Sequence, residues 1–295
     1  MSKLYTPKGF VISVLGISLI VSLIMTALLF GKGQTPEVNP LQSFTSVFMI
    51  CVLFLVPFQF ISFSFHRILY PPPKKQSIEH LYSNRNLRVL ELERFGLTEI
   101  RLEDFHNLHR FTRINLGMNE LKTIDLSPLV GSTNLKELIL YMNHLELIDL
   151  SPLASCPSFE YLDLTNNDLE TIDLAPLSSC LKLTGLNIGA NKTSHLDLGP
   201  ISECKDLEVL NIDDMNLGEI DLSPLKNFTR LWFLKLNDNE LKTLDITPLF
   251  ECHKLSDFEV DSIELTTTLD VGIGTWPEGI RKHKKKVRIL DSVFQ

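Results

Sequence analysis

The feature that most limits how this chain can fold is a pattern that returns every 24 residues. Phe111-x-x-Ile114-x-Leu116-x-x-Asn119-x-Leu121 is matched by Leu135-x-x-Leu138-x-Leu140-x-x-Asn143-x-Leu145, and again by Phe159-x-x-Leu162-x-Leu164-x-x-Asn167-x-Leu169. The asparagine place continues at Asn191 and Asn239, with Met215 between them. A degenerate first copy starts at Leu87 with Phe95 in that place, and a decaying last copy runs through Leu255, Phe258, Val260, Ile263 and Leu265. A unit this small cannot bury its apolar side alone, so about eight of them must stack into a single solenoid with atypical ends.

Each position has a physical reading. Apolar residues two apart, such as Ile114 and Leu116, describe a strand whose side chains point inward, and successive strands stack into a parallel sheet at about 4.8 Å. The asparagine turns the chain at the strand end, where its amide can bond backbone groups otherwise buried and unpaired. Met215 and Phe95 lack that amide, so local irregularity is expected in those two copies. The second half of the unit is also regular: Ile124-Asp125-Leu126-Ser127-Pro128-Leu129 recurs at 148–153, 172–177, 196–201, 220–225 and 244–249. It predicts a short extended piece with its acid outward. One helical turn follows, with Ser or Thr as N-cap and proline at the first helical position.

Residues 87–265 resemble the leucine-rich-repeat superfamily, in a 24-residue variety with a short second strand. The resemblance implies an α/β solenoid with the parallel sheet on its concave face and a short strand plus one helical turn on the outer side. For function it implies protein binding on the inner surface, with many unrelated partners across the superfamily.

The sequence before the repeats is of another kind. Residues 9–30 and 44–65 are two runs of 22 without a charge, each about 33 Å long as a helix, against about 30 Å of hydrocarbon. They predict a two-helix transmembrane hairpin over 1–66. A cleaved signal peptide is the alternative for the first run, which is long for one and offers no small-residue cleavage site at Leu28-Leu29-Phe30. Lys3 and Lys8 precede the hairpin and Arg67, Lys74 and Lys75 follow it, while the loop at 31–43 has only Lys32, offset by Glu37. The basic excess places both termini, and the repeats, in the cytoplasm. Ser18, Ser22 and Thr26 form a small-residue stripe that seats another helix or is ordinary membrane-helix composition. Pro71, Pro72 and Pro73 form a stiff spacer within a linker and N-terminal cap at 67–86.

Catalytic constellations are not expected. Gly31-Lys32-Gly33-Gln34-Thr35 lacks phosphate-loop spacing, and His106 and His109 have no further ligands in an obvious pattern. Four of the five cysteines, Cys156, Cys180, Cys204 and Cys252, share one repeat phase and read as small buried hydrophobes. A net charge of -8 argues against a general nucleic-acid binder. No enzyme activity and no cofactor are expected. Asp125, Asp149, Asp173, Asp197, Asp221 and Asp245 hold one phase in successive units. They form a structural column, or alternatively a calcium ladder, although one carboxylate per turn supplies few of calcium's six to eight oxygens.

The inner face is the expected binding surface. Ile139, Tyr141 and Tyr161, ringed by Arg113, Glu137 and Asp163, are the candidate partner-binding residues, since exposed aromatics rimmed by charge resemble interface anchors. The fifth repeat offers Gly185, Asn187 and Gly189 and reads as a gap. Residues 266–295 read as a C-terminal cap, in which Trp276-Pro277 closes the last repeat, and a basic tail, Arg281 to Arg288. The tail either touches anionic lipid or an acidic partner, or is simply solvated. The expected function is a membrane-anchored, non-catalytic scaffold that recruits a protein partner. The alternative is a sensor of external ligands, for which the sequons at Asn191 and Asn227 would matter, although a turn asparagine like Asn191 should be buried.

Overall fold

The computed structural model describes residues 86–269 and 276–290, so the two apolar runs, the proline spacer and the calls on topology lie outside the described residues. Eight short strands form one parallel sheet: β1 (Val89–Glu91), β2 (Arg113–Asn115), β3 (Glu137–Ile139), β4 (Tyr161–Asp163), β5 (Gly185–Asn187), β6 (Val209–Asn211), β7 (Phe233–Lys235) and β9 (Asp257–Glu259). Every pair is in 24-residue register, for example Leu138 with Leu162 and Leu162 with Leu186. The middle residue of each strand points into a continuous leucine core that runs the length of the repeats.

The asparagines form a ladder along one edge of that core. Asn143 donates to the carbonyls of Leu140 (2.9 Å) and Leu116 (3.0 Å), and its Oδ1 accepts from the Leu121 amide (3.1 Å). Asn119, Asn167, Asn191 and Asn239 repeat this arrangement. The irregularity expected at Met215 and Phe95 does not occur in the backbone. The residue before each has the same left-handed φ as in the regular copies: 47° at Asp214 and 65° at Arg94, against 52° at Met142 and 58° at Asn166. The bonding explains why. Each carbonyl in the ladder can be served by two successive asparagines, so at Met215 the Ile188 carbonyl keeps Asn191 and the Ile212 carbonyl keeps Asn239. Thr193, fully buried, turns its own hydroxyl to the Leu169 carbonyl.

The outer half of the unit departs from expectation in two ways. A second strand forms only once, at β8 (Thr243–Asp245), where β10 (Glu264–Thr267) lies beside it. In the other units the Ile-Asp-Leu segment forms no strand: its leucine already has helical φ and ψ (−92° and −3° at Leu126), and the leucine carbonyl takes the first bond of the turn, from the Leu129 amide at 2.8 Å. The helical turn is 3-10, and its cap is the aspartate rather than the following serine or threonine. Asp125 accepts the Ser127 amide at 2.8 Å, and Asp149, Asp173, Asp197, Asp221 and Asp245 do the same two residues on. Ala175 and Gly199 stand in the serine place without altering this bond. These bonds to Ser127, Ser151 and Ser223 hold Asp125, Asp149 and Asp221 below the usual carboxylate range.

Behind the turns, Cys156, Cys180, Cys204 and Cys252 are buried and unbridged, and each thiol points at a carbonyl of the previous unit at 3.4 to 3.7 Å. Burial pushes Cys180 and Cys252 up to about 12 and Cys204 to about 11, which keeps them as unreactive thiols. At the far end the basic stretch is not a free tail. Trp276 packs edge-on against Phe250 at 5.2 Å, and a short helix, Glu278–Arg281, lays Gly279 against Phe258, its amide bonded to the Leu255 carbonyl. Lys282 reaches the Ser256 carbonyl, His283 donates to the Phe258 carbonyl, Lys286 reaches Ser262, and β11 (Val287–Ile289) pairs with β10. Most of the run is therefore engaged in closing the last repeat.

Candidate functional site

The sheet presents three rows of side chains on its open face, because residues two apart on a strand share a side. The strand register puts Arg113, Glu137, Tyr161, Gly185, Val209 and Phe233 in the first row and Asn115, Ile139, Asp163, Asn187, Asn211 and Lys235 in the second. Two residues further on, the repeat period makes a third row from Glu93, Gly117, Tyr141, Thr165, Gly189, Asp213, Asn237 and Asp261.

Four of the six expected site residues come together. Arg113, Glu137, Ile139 and Tyr161 line a shallow, open depression of about 370 Å³, with Glu160 and Thr184 completing its wall. Arg113 bridges Glu91 (2.8 Å) and Glu137. Burial works against its charge, but the two carboxylates outweigh that and raise its pKa. Ile139 faces this side yet is only 6% exposed, so it serves as floor rather than projecting anchor.

The two tyrosines do not stand side by side. Each lies along the sheet over a glycine of a neighbouring strand, and they lean in opposite directions. A Cβ on Gly117 would fall 2.5 Å from the Tyr141 ring, whose hydroxyl reaches back across two repeats to Glu93 at 3.0 Å. A Cβ on Gly185 would fall 2.5 Å from the Tyr161 ring, which leans the other way. Asn187 donates to the Tyr161 hydroxyl at 2.6 Å, and that hydroxyl lies 3.3 Å from Asp163. The gap read from Gly185 and Asn187 is thus the seat of a half-buried aromatic ring. Asp163 takes the Thr165 amide at 3.0 Å, and burial raises its pKa despite that bond. Burial also raises the Tyr161 hydroxyl.

Sequence reading passed over the far end of the face. Trp232, 41% exposed, holds the register position of Glu160 and Thr184 and lies 5.6 Å from the Phe233 ring. The same end of the three rows carries Asp213, Asp257, Glu259 and Asp261, with Lys235 bonded to Asp213 and Lys282 3.7 Å from Asp257. The signal was present, since an exposed Trp next to a run of acids stands out once the rows are written side by side. Among the described residues, no three His, Cys, Asp or Glu side chains gather closely enough to hold a metal ion.

No family model and no curated protein matches this chain. Among solved structures, an internalin from Listeria monocytogenes is similar at 24% identity and a TM-score of 0.50, over 65% of this chain and 59% of that one. This chain thus matches less than two thirds of that protein's length. A leucine-rich-repeat protein from Leptospira interrogans follows at 21% identity and a TM-score of 0.49, over 64% of this chain and 52% of that one. A second Listeria protein, internalin C2, is similar at 23% identity and a TM-score of 0.44, over 68% and 96%. With the parallel sheet and its asparagine ladder, the likeness to the first shows that the described repeats have a leucine-rich-repeat fold. It speaks to fold alone.

Proposed function

We propose that this chain is a non-catalytic scaffold, held in a membrane by residues 9–30 and 44–65, that recruits a protein partner to the cytoplasmic side through the open face of its sheet. The observation that carries the reading is the depression formed by Arg113, Glu137, Ile139 and Tyr161. It combines an apolar floor, an aromatic wall and charged rims on strands fixed by a continuous core, which is how interface anchors are built. Leucine-rich-repeat proteins offer the same face to proteins, and Asn191, buried in the ladder, is a poor glycan acceptor for the external reading.

Two measurements test this. A photoreactive side chain at Glu137 of the full-length chain in its native cells should yield a discrete protein adduct, and one at Leu147, exposed on another side, should not. Equal labelling from both sites, or from Leu147 alone, would remove the sheet face as the partner surface. In sealed right-side-out vesicles, external protease should leave the repeats intact. Efficient digestion would place them outside and favour the ligand-sensing reading.

A further inference from the structure

The outer sheet ends with apolar side chains uncovered. Its order is β8, β10, β11, and among the described residues no strand lies beyond β11. The register runs Leu244, Leu265 and Val287 along one row, and Thr267 stands opposite Ile289. Leu244, Leu265 and Thr267 are buried on the core side, but Ile289, on the last strand, is 45% exposed and Leu290 is 38% exposed.

The 3-10 turn Lys284–Lys286 leads straight into this strand. Residues 276–290 hold one acid, Glu278, against Arg281, Lys282, Lys284, Lys285, Lys286 and Arg288. Four of the six basic groups are occupied. Arg281 bonds the Trp276 carbonyl, Lys282 is 3.7 Å from Asp257, Lys286 reaches Ser262, and Arg288 is 3.3 Å from Glu264. Lys284 and Lys285 are exposed and meet no carboxylate among the described residues.

From this we infer that the C-terminal cap binds the surface of an anionic lipid leaflet, with Ile289 and Leu290 entering the interface and Lys284 and Lys285 among the headgroups. The inference goes beyond the scaffold reading and adds a second lipid contact, far in sequence from the apolar runs at 9–30 and 44–65. Two independent features select lipid. Free lysines supply attraction to anionic headgroups, and exposed aliphatic side chains within a few residues of them supply the apolar part of interfacial binding. The groups that would read a carboxylate on a protein are already in use: both arginines, whose planar fork suits that task, are bonded within the cap. A lipid surface asks for no fork and no pocket.

The test places a diazirine side chain at Leu290 of the full-length chain, reconstituted in vesicles, and reads lipid adducts by mass spectrometry. Vesicles of phosphatidylcholine with about 30% phosphatidylserine should give at least fivefold more adduct than phosphatidylcholine alone, and raised salt should remove the difference. Lys284→Gln with Lys285→Gln should lower the adduct threefold or more while the melting curve stays cooperative. Lys182→Gln with Lys226→Gln removes the same charge from exposed positions in the repeats and should change it less than twofold. Diazirines at Leu147 and Leu181, exposed on the two flanks of the repeats, should give little lipid adduct. The inference fails if these flank sites label as strongly as Leu290, or if both lysine pairs act alike. It also fails if phosphatidylserine makes no difference. A protein adduct at Leu290 in native cells, without a lipid one, would assign the surface to an acidic partner and overturn it. The adduct is read before any extraction. A chain then stripped from the vesicles by alkaline carbonate lacks its proposed anchor whatever Leu290 has shown, so the two readings fail separately.

Discussion

Asn167 and Tyr161 stand six residues apart in one repeat and answer to different constraints. The asparagine faces a problem that every unit has, a strand end whose carbonyls and amides are buried, and it recurs because the solution is the same each time. The tyrosine's place is set by its particular neighbours, and its position depends on a glycine 24 residues later. Ladder positions are therefore local and periodic, whereas face positions are set by neighbours. Substitutions can break or sharpen this distinction.

The largest effect should come from Asn167→Ala. It removes two donated bonds to the Leu164 and Leu140 carbonyls and the acceptor for the Leu145 amide, all buried. A loss of about 3 kcal/mol is expected by denaturant titration, summing a few buried bonds of about 1 kcal/mol each with the amide left unsatisfied. A loss under about 1 kcal/mol would mean that the ladder is redundant throughout, not only at Met215. Next is Gly185→Val, which evicts the Tyr161 ring from its seat and breaks the Asn187 bond. Overpacking of this kind costs about 1–3 kcal/mol, and the depression should lose its aromatic wall. An unchanged melting temperature would show that the ring has other room. A smaller change of opposite sign is expected from Met215→Asn. It restores an acceptor for the Thr193 amide and should stabilise by about 1 kcal/mol, or a few degrees in melting temperature for a protein of this size. No gain would show that the buried thioether packs as well as the amide bonds.

The smallest effect is at Asp163. Its pKa is raised by burial, so the folded state disfavours the charged form. Above that raised value the penalty is present in full. As pH falls through it toward the unfolded value of about 3.9, the folded protein takes up the proton first and recovers stability. Asp163→Asn should therefore melt slightly higher than the parent near pH 7, with the gap closing near pH 4. A gap that is constant with pH would trace the difference to packing, not charge.

The same distinction explains what was legible in the sequence. The leucine pattern and the asparagines gave the sheet, its register and its eight strands, because each is imposed by the repeat itself. The aspartate column could be seen, but its role as cap could not be separated from that of the adjacent serine until Ala175 and Gly199 were seen to keep the same bond. The outer strand was over-read, since the leucine of Ile-Asp-Leu already turns into the helical region, and a strand forms only at Thr243–Asp245, beside 264–267. At the site, which side chains face outward followed from alternation alone. The direction in which Tyr141 and Tyr161 lie did not, because it depends on the space above Gly117 and Gly185. Asn187, a residue of the supposed gap, proves to hold a tyrosine hydroxyl. The basic run at 281–288 looked like a tail because charge alone does not reveal a backbone that pairs in parallel.

The way that run is folded bears on how the protein comes to be made. As the chain leaves the ribosome, each rung is covered by the one synthesised after it, and a nascent solenoid always has a raw leading end. Phe258 and Phe250 remain uncovered until residues 276–283 arrive. A message cut short after residue 269 would yield all eight strands of the main sheet with that end still bare. Such a product would match the full protein in most of its spectrum, yet it would present chaperones and proteases with the aromatic surface they are built to detect.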